Sequence, residues 1–324
     1  MDEFSFIRSI RQKTYRQPSL IKGIGDDAAV FRHPTADIVT AVDTFVENVH
    51  FSRDTMNPEH IGYRSLAANL SDLAAMGATP LYYLVSIVIP KTWTAQELEE
   101  IFYGMKAIAK LYKMDLIGGD IVGGNELALS ITVFGHVEKG KARYRSKAEQ
   151  GDVVFITGTL GDAQAGLYIL NHLDEDFQGK QYFINRHRRP FPRITFSNKL
   201  NEIHRLALND ISDGIANETA EIAEASQVTI HLYDEYIPIH PFFNQFSLKH
   251  QRKWKYFGGE DFELVGTVPK IDWPIVETVA VQTDTKITKV GYVSINDDSI
   301  GQVILHGKDG QQERLEKDGY IHLK

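Results

Sequence analysis

Apolar and polar positions along the first half of the chain alternate between the period of a strand and the period of a helix. The apolar, β-branched runs predict strands at Ile38–Val42, Leu81–Ile89 and Leu127–Val137, and the helical patterns cover Pro58–Met76 and Thr94–Tyr112. Leu81–Ile89 is apolar enough to predict a buried strand. Thr94 followed by Glu97 forms a capping box, which predicts where the second helix begins.

The second half continues with the same two kinds of element. The predicted strands are Val153–Thr157, Leu264–Val268, Ile287–Val293 and Gln302–His306, and the predicted helices are Ala163–Leu173 and Asn217–Ala225. A polar connector, Glu138–Asp152, separates the halves, and strict strand–helix–strand alternation is missing from both. The pattern therefore predicts an α+β fold in two domains, residues 1–140 and 141–324.

The composition narrows the functional class. The 324 residues carry 43 acidic against 35 basic side chains, a net charge of −8, which argues against a general nucleic-acid binder. The chain has no cysteine, which excludes thiol nucleophiles, cysteine-ligated zinc and iron–sulfur clusters. Its beginning lacks a signal-peptide pattern, and no apolar run approaches the ~18 residues of a membrane span. We expect a cytoplasmic protein with no membrane partner.

Acidic residues recur in short motifs, many of them rich in glycine. The motifs are Gly23–Ala29 (GIGDDAA), Val42–Thr44 (VDT), Asn69–Asp72 (NLSD), Gly118–Gly124 (GGDIVGG), Asn209–Gly214 (NDISDG) and Gly258–Asp261 (GGED). Separated acids without a histidine cluster favour Mg²⁺ over zinc, and Mg²⁺ held by carboxylates usually accompanies a bound polyphosphate. The signatures of P-loop enzymes, protein kinases and G-x-S-x-G hydrolases are missing from the sequence.

Each motif also has a purely structural interpretation. The pair Asp26-Asp27 is typical of a polar turn that enters a strand, and Asp213 is a suitable helix cap. Glycine at Gly118–Gly124 would allow the close approach of a nucleotide, but the pattern alone favours a simple glycine turn between strands. Asp72 is more informative, because aspartate has low helix propensity and small apolar residues follow it. A carboxylate in such surroundings usually needs a partner.

Basic residues give weaker signals. The arginines Arg186, Arg188, Arg189 and Arg193 surround two prolines, and a solvated loop is favoured there over a phosphate contact. Arg145 lies in the polar connector, from which it could reach a polyphosphate, although taken alone it indicates an exposed arginine. His50 follows a predicted strand and, taken alone, indicates no more than a satisfied polar residue.

The order of these motifs along the chain resembles that of the thiamine-monophosphate kinase family. The resemblance rests on GIGDDAA, VDTFVENVHF, NLSDLAAMGATP, LIGGD, GDVVFITGTLGDAQAGL, ISDG and FGGEDFEL, and it extends over most of the chain. It implies the aminoimidazole ribonucleotide synthetase-like fold, in which the N-terminal sheet pairs with that of a second subunit to form a barrel in a homodimer. It also implies transfer of phosphate from ATP to thiamine monophosphate, which gives thiamine diphosphate.

The resemblance assigns roles residue by residue. The implied Mg²⁺ ligands are Asp27, Asp43, Asp72, Asp120, Asp210 and Asp213, of which Asp72, Asp120 and Asp213 carry the catalytic role. The implied ATP contacts are Gly119, Asp120, Arg145 and Ser212, and the implied substrate contacts are His50, Glu260 and Tyr320. Ala41-Val42 departs from the Ser-Thr of some members, so one metal ion would lose side-chain oxygen ligands there.

The expected mechanism is direct, in-line transfer of the γ-phosphoryl group assisted by several Mg²⁺ ions. A substrate phosphate is largely deprotonated at pH 7, so the reaction needs no general base. One alternative is ATP-dependent activation of an amide or formyl oxygen, as elsewhere in the superfamily. The branches that handle selenium and mature hydrogenases typically use a reactive cysteine or selenocysteine, which the chain lacks. A non-catalytic nucleotide-binding protein is the other alternative.

Overall fold

A computed structural model describes residues 20–22, 26–32, 34–295 and 297–319. The α-helices are α1 (Pro58–Ala75), α2 (Ala95–Leu111), α3 (Asp162–Leu170), α4 (Lys180–Arg188), α5 (Ile194–Lys199), α6 (Ile215–Ser226), α7 (Leu248–Phe257) and α8 (Trp273–Gln282). The strands are β1 (Leu20–Lys22), β2 (Ala29–Arg32), β3 (Asp37–Val46), β4 (Thr79–Pro90), β5 (Asp115–Gly124), β6 (Ala128–Val137), β7 (Val153–Thr157), β8 (Ala207–Asp210), β9 (Thr229–Tyr233), β10 (Leu264–Val268), β11 (Ile287–Ser294), β12 (Val303–His306) and β13 (Gln312–Arg314). Within these ranges, no helix has the length and apolar character that a membrane crossing requires.

The first sheet has the strand order β1-β2-β3-β6-β4-β5. Its pairs are antiparallel except for β4 with β5, which run parallel. Alternate residues of the central strands, such as Val39, Ala41, Leu129 and Ile131, are buried on the face that α1 covers. The hydrophobic effect of burying this face holds helix and sheet together.

Helices α1 and α2 approach each other closely through two glycines. A Cβ atom on Gly62 would lie 1.8 Å from the carbonyl oxygen of Ile101, and one on Gly104 would lie 1.9 Å from that of Glu59. Neither position has room for a side chain, so glycine is what allows the two backbones to meet.

The second sheet has the order β13-β12-β9-β11-β7-β10-β8 and is antiparallel except for β9 with β12. Both of its faces are buried around β7, since Val154 and Ile156 pack in one core cluster with residues of α6. Phe155 points the other way and joins the core that also contains residues of α1 and the first sheet. The two sheets therefore share one continuous hydrophobic core.

Helix α1 lies between the two sheets. It contacts β3, β4 and β6 of the first sheet, and it contacts β8 of the second sheet as well as α5. Its C-terminal turns, which carry Asp72, thereby come close to the end of β8, which carries Asp210. This placement brings together acids that are far apart in the sequence.

The predicted α+β class is confirmed, and the predicted strands and helices are found within a few residues of their expected bounds. The capping box is also confirmed, because the Glu97 backbone N–H donates to Thr94 Oγ1 and the Thr94 backbone N–H donates to the Glu97 carboxylate. The prediction of a glycine turn at Gly118–Gly124 was wrong, since these residues belong to β5. Strand β4 is buried on one face only, because Tyr82 is exposed beside buried Tyr83.

Candidate active site

Three carboxylates from separate parts of the chain converge between the sheets. One oxygen each of Asp27, Asp72 and Asp210 lies within 4.8 Å of the other two. Asp27 precedes β2, Asp72 lies in the last turns of α1, and Asp210 ends β8. Three of the predicted metal-binding residues thus form one cluster, which we call the carboxylate cluster.

The carboxylate cluster is electrostatically unfavourable by itself. Burial and then the carboxylates of Asp43, Asp210 and Asp27 raise the pKa of Asp72 well above its ordinary value. Burial also raises the pKa of Asp27 well above its ordinary range, against the opposing charge of Arg145. Burial together with Glu218 raises the pKa of Asp210 to about 7. A divalent cation would remove this repulsion.

The donor set fits Mg²⁺. The three members of the carboxylate cluster offer hard oxygen ligands, and the described part of the chain brings no histidine into the group. Asp27 Oδ2 and Asp210 Oδ2 are buried and have no hydrogen-bond partner among the described residues. Buried oxygens without a donor are what a metal ion would satisfy.

Arg145 lies beside the carboxylate cluster and is held on several sides. Its Nη2 is 2.8 Å from Asp27 Oδ1, its Nε donates to Asn209 Oδ1 over 3.1 Å, and its Nη1 is 3.6 Å from Glu221. Burial alone would lower the pKa of Arg145, but Asp27, Glu218 and Glu221 raise it, so the guanidinium stays charged. A fixed positive charge therefore adjoins the acids.

Asp43 is placed next to the carboxylate cluster by α1. Its backbone N–H donates to Asn69 Oδ1 over 3.1 Å, and the Asn69 amide in turn donates to the Ser65 carbonyl. Asn69 is fully buried, so this link between β3 and α1 is shielded from water. The two polar residues that bound the Asn69–Asp72 motif thus have different roles. Asp72 belongs to the carboxylate cluster, whereas Asn69 positions Asp43.

Ser212 and Asp213 lie on the loop after β8, and a glutamate that the sequence analysis missed organises this loop. Glu218 accepts hydrogen bonds from Ser212 Oγ, from the Asp213 backbone N–H and from Asn209 Nδ2. The interpretation of Asp213 as a helix cap was wrong, because Gly214 occupies the N-cap position of α6 and no side chain caps that helix. Glu218 looks like an ordinary first-turn acid in the sequence, so only the fold reveals its function.

A cleft with a volume of about 980 Å³ opens beside these residues. Its walls include Asp43, His50, Ser212, Asp213 and Glu260, which are five of the predicted site residues. The cleft also reaches Asp318 and Gly319, the last described residues of the chain. Tyr320, predicted as a substrate contact, lies outside the described residues. The volume is within the range of small-molecule sites.

Gly119 and Asp120 do not join the carboxylate cluster within one chain. They belong to β5, at the edge of the first sheet, where every residue from Asp115 to Gly124 is exposed. The register places Gly119 beside Val85, Val85 beside Ile131, and Ile131 beside Asp43. Three strand spacings, about 14 Å, therefore separate Asp43 from the Gly119–Asp120 pair.

The arginine-rich segment is not a solvated loop, so that interpretation was wrong. Arg186 and Arg193 both bind the buried carboxylate of Glu263, with nitrogen–oxygen distances of 2.8 Å and 2.6 Å. Arg188 donates to the Thr55 carbonyl. These arginines fasten α4 and the start of α5 to the GGEDFEL motif and to the first half of the chain.

The chain is similar to known proteins over its full length. Residues 25–137 match the family model described as AIR synthase related protein, N-terminal domain. The thiamine-monophosphate kinase of Bacillus subtilis (strain 168) is 44% identical to this chain over 330 residues, which is 100% of each protein.

Solved structures agree with the sequence comparison. The thiamine-monophosphate kinase from Stenotrophomonas maltophilia K279a superimposes with a TM-score of 0.78 at 30% identity, covering 95% of each chain. The structure of AaThiL complexed with AMPPCP and TMP superimposes with a TM-score of 0.85 at 29% identity, covering 99% of this chain and 97% of the other. The resemblance of the motifs is therefore supported by likeness over the full length.

Proposed function

We propose that this chain, which belongs to the thiamine-monophosphate kinase family, transfers the γ-phosphoryl group of ATP to thiamine monophosphate. The products are ADP and thiamine diphosphate. The observation that carries the proposal is the convergence of Asp27, Asp72 and Asp210 beside a cleft of about 980 Å³. Such a site suits two phosphorylated substrates that meet at metal ions.

The carboxylate cluster and its neighbours would hold the Mg²⁺ ions. We assign Asp27, Asp72 and Asp210 as ligands that act together, with Asp43 and Asp213 at the border of the cleft. Bound Mg²⁺ supplies positive charge to the phosphate oxygens and reduces the repulsion between two anionic substrates. The carboxylates themselves hold no proton that the reaction needs, because the attacking phosphate oxygen is already largely deprotonated at pH 7.

The transfer forms one bond and breaks one bond at the γ-phosphorus. An oxygen of the substrate phosphate attacks, and the bond from the γ-phosphorus to the β,γ-bridging oxygen breaks, so that ADP leaves with the electron pair. The chain's contribution is to hold the two phosphates in line. Arg145 contributes a fixed positive charge, since its position is set by Asp27 and Asn209.

The cleft provides contacts for the organic part of the substrate. We propose that Glu260 faces the thiazolium cation and that Tyr320 offers a ring face. His50 Nδ1 accepts a hydrogen bond from the Val46 backbone N–H over 3.1 Å, which leaves the proton of a neutral ring on Nε2. We propose that His50, which lines the cleft, contacts the substrate there.

A second copy of the chain would cover apolar residues of the first sheet that one copy leaves exposed. The face of the first sheet opposite α1 exposes Val42 and Tyr82, and the β5 edge exposes Ile121 and Val122. Exposed apolar strands of this kind mark protein interfaces. We propose a homodimer whose two sheets close into a barrel.

The same arrangement explains the position of Asp120. We propose that, in this two-fold barrel, the β5 edge of one copy lies against the β1–β2 end of the other. Asp27 lies two residues before the start of β2. We propose that Gly119 and Asp120 therefore serve the site of the other copy.

A purified-protein assay tests the proposed activity. The protein is incubated with ATP, Mg²⁺ and thiamine monophosphate, and ADP and thiamine diphosphate are measured together. We expect one thiamine diphosphate for each ADP. Nucleotide binding without any thiamine diphosphate would instead favour a non-catalytic protein.

A further inference from the structure

We propose that Arg64, a buried residue of α1, is a positioning residue that fixes the Glu260 carboxylate at the wall of the substrate cleft. This inference rests on the proposed function, because the cleft is taken as the site of thiamine monophosphate. Arg64 itself does not line the cleft. It acts through Glu260, so its effect is on substrate binding rather than on the reacting phosphates.

The Arg64 side chain is enclosed by the protein. Only 1% of its surface is exposed, and it is one of the largest fully buried side chains. Its Nη2 is 2.5 Å from Glu260 Oε2, its Nη1 donates to the His187 carbonyl, and its guanidinium carbon is 5.9 Å from the centre of the Phe262 ring. A buried guanidinium has to be compensated by an opposite charge.

Glu260 is the acid that supplies this compensation. Among the described residues, it is the carboxylate that forms an ion pair with Arg64. His187 is no competing cation, because burial and the nearby charges of Arg64 and Arg188 lower its pKa well below the ordinary value. The ion pair therefore ties the Glu260 carboxylate to Arg64, although 27% of the glutamate side chain stays exposed.

The backbone of Glu260 is fixed as well. Glu260 has a φ of 71° and Phe262 a φ of 49°, both in the left-handed region that non-glycine residues rarely adopt. The Glu260 N–H donates to the Ser212 carbonyl over 2.6 Å, and the Phe262 N–H donates to the Ile211 carbonyl over 3.0 Å. The segment is thus locked onto the loop that carries Ser212 and Asp213.

These two anchors make Glu260 a preorganised cation acceptor. A free glutamate side chain would lose rotamer freedom when substrate binds, whereas this one is already ordered. The ion pair leaves 27% of the Glu260 side chain exposed at the wall of the cleft, where it can meet the positive ring of the substrate. Arg64 should therefore lower the KM for thiamine monophosphate and have little effect on the KM for ATP or on kcat.

The test compares Arg64→Lys with the wild-type enzyme in steady-state kinetics. We expect the KM for thiamine monophosphate to rise about three- to tenfold, the range for the loss of one preordered side chain, while kcat and the KM for ATP change little. Arg143→Lys is the matched control. Arg143 is also buried, but its guanidinium donates to the Leu200 and Ile203 carbonyls. The Arg143→Lys substitution should therefore leave kcat and both KM values near those of the wild type.

A double-mutant cycle with Glu260→Gln identifies the route of the effect. If Arg64 acts through Glu260, then Arg64→Lys in the Glu260→Gln background adds no further rise in the KM for thiamine monophosphate. Additive effects would overturn the inference, and so would an unchanged KM in Arg64→Lys.

A second variant covers the case in which Arg64→Lys does not fold. Glu260→Asp keeps the charge but is one methylene shorter, so it cannot both contact Arg64 and keep its position in the cleft. We expect the same selective rise in KM, and a wild-type KM would contradict the proposal. Absence of turnover in the wild-type protein would instead defeat the proposed function itself.

Discussion

At the scale of single residues, the carboxylate cluster is unfavourable for the stability of the folded protein but suited to binding cations. Asp27, Asp72 and Asp210 approach within 4.8 Å of one another, and each has a raised pKa because of burial and neighbouring acids. Side chains selected for stability alone would not be arranged in this way. The cost is understandable if the folded protein works with cations bound to these oxygens.

The Asp72→Asn variant distinguishes the role of Asp72 in turnover from its effect on stability. We expect kcat to fall by about 100-fold or more, because a metal ligand is lost from the site of charge development. The melting temperature without Mg²⁺ should stay equal or rise, because one member of a repelling group is neutralised. The exposed Asp174→Asn serves as control and should change neither quantity. Normal turnover of the Asp72→Asn variant at saturating Mg²⁺ would show that Asp72 is not a metal ligand of the active site.

The pH dependence of stability gives a second test. The pKa of Asp210 rises from 3.8 to about 7 on folding, so the folded protein holds a proton that the unfolded chain releases at lower pH. This contribution to the free energy of unfolding is fully present below about pH 4 and is lost as the pH rises through about 7. Mg²⁺ binds the ionised form, so its stabilising effect should be larger at pH 8 than at pH 5.

Thermal or urea unfolding with and without Mg²⁺ measures both effects, and Asp210→Asn is the reference variant. The difference between wild type and variant in metal-free buffer should change with pH in the stated direction. A wild-type protein that gains stability relative to Asp210→Asn between pH 5 and pH 8 without metal would contradict the assignment.

Several acids of the candidate site could be predicted from the sequence, whereas their partners could not. Asp72 stood out because aspartate inside a helix followed by small apolar residues is unusual. Arg64 and Glu218 gave no such signal, because a helix of this composition normally carries exposed charged residues. Their importance arises from contacts with Glu260 and with the Ser212–Asp213 loop, which only the packing of distant segments creates.

At the scale of elements, helix α1 is central because it touches both sheets. It carries Arg64 toward the cleft and Asp72 toward the carboxylate cluster, while Asn69 holds the backbone of Asp43. Hydrophobic periodicity predicted the helix, since periodicity reports which face is buried. It could not predict that β4 is buried on one face only, because a strand that is apolar on both faces matches a buried strand and an interface strand equally.

The contact between α1 and α2 can be tested by adding a single methyl group. Gly104→Ala would place a Cβ atom 1.9 Å from the Glu59 carbonyl oxygen, so the helices have to separate. We expect the free energy of unfolding to fall by about 1–3 kcal/mol. The exposed Glu99→Ala on the same helix should stay within about 0.5 kcal/mol of wild type. Chemical denaturation measures both, and an unchanged Gly104→Ala would mean that α2 moves away without cost.

The arginine-rich segment illustrates why element-level prediction fails for ion pairs. Four arginines around prolines look solvated in a sequence, since unpaired arginine is rarely buried. In the structure, the half-buried Arg186 and Arg193 pair with the buried Glu263, about 70 residues later in the chain. Periodicity carries no information on such long-range pairs.

At the scale of the whole molecule, the proposed homodimer makes a specific prediction about Asp120. Asp120→Asn and Asp72→Asn homodimers should both be nearly inactive. If Asp120 serves the other copy, a mixed dimer of the two variants contains one intact site and should recover about half of the wild-type activity per dimer. Two differently tagged copies, coexpressed and purified through both tags, provide the mixed dimer. A mixed dimer as inactive as its parents would place both residues in the same chain's site.

The interface itself can be tested by charge. Ile121 is 73% exposed on β5 and would be covered in the proposed barrel. Ile121→Asp should shift the protein from dimer to monomer in light scattering and should lower activity, because Asp120 is withdrawn with the interface. A variant that stays dimeric and active would exclude β5 from the interface. The exposed Leu173→Asp, outside the first sheet, should change neither property.

Following the γ-phosphoryl group of ATP shows whether the protein transfers it to thiamine monophosphate. ATP labelled with oxygen-18 on its γ-phosphate is incubated with the protein, Mg²⁺ and thiamine monophosphate. The masses of the products are then measured by mass spectrometry. The proposed kinase reaction transfers the three labelled terminal oxygens to thiamine diphosphate and leaves inorganic phosphate unlabelled. Direct transfer would be contradicted if the label were released as inorganic phosphate and thiamine diphosphate were unlabelled or not formed. That result would favour ATP hydrolysis or the activation of an amide or formyl oxygen.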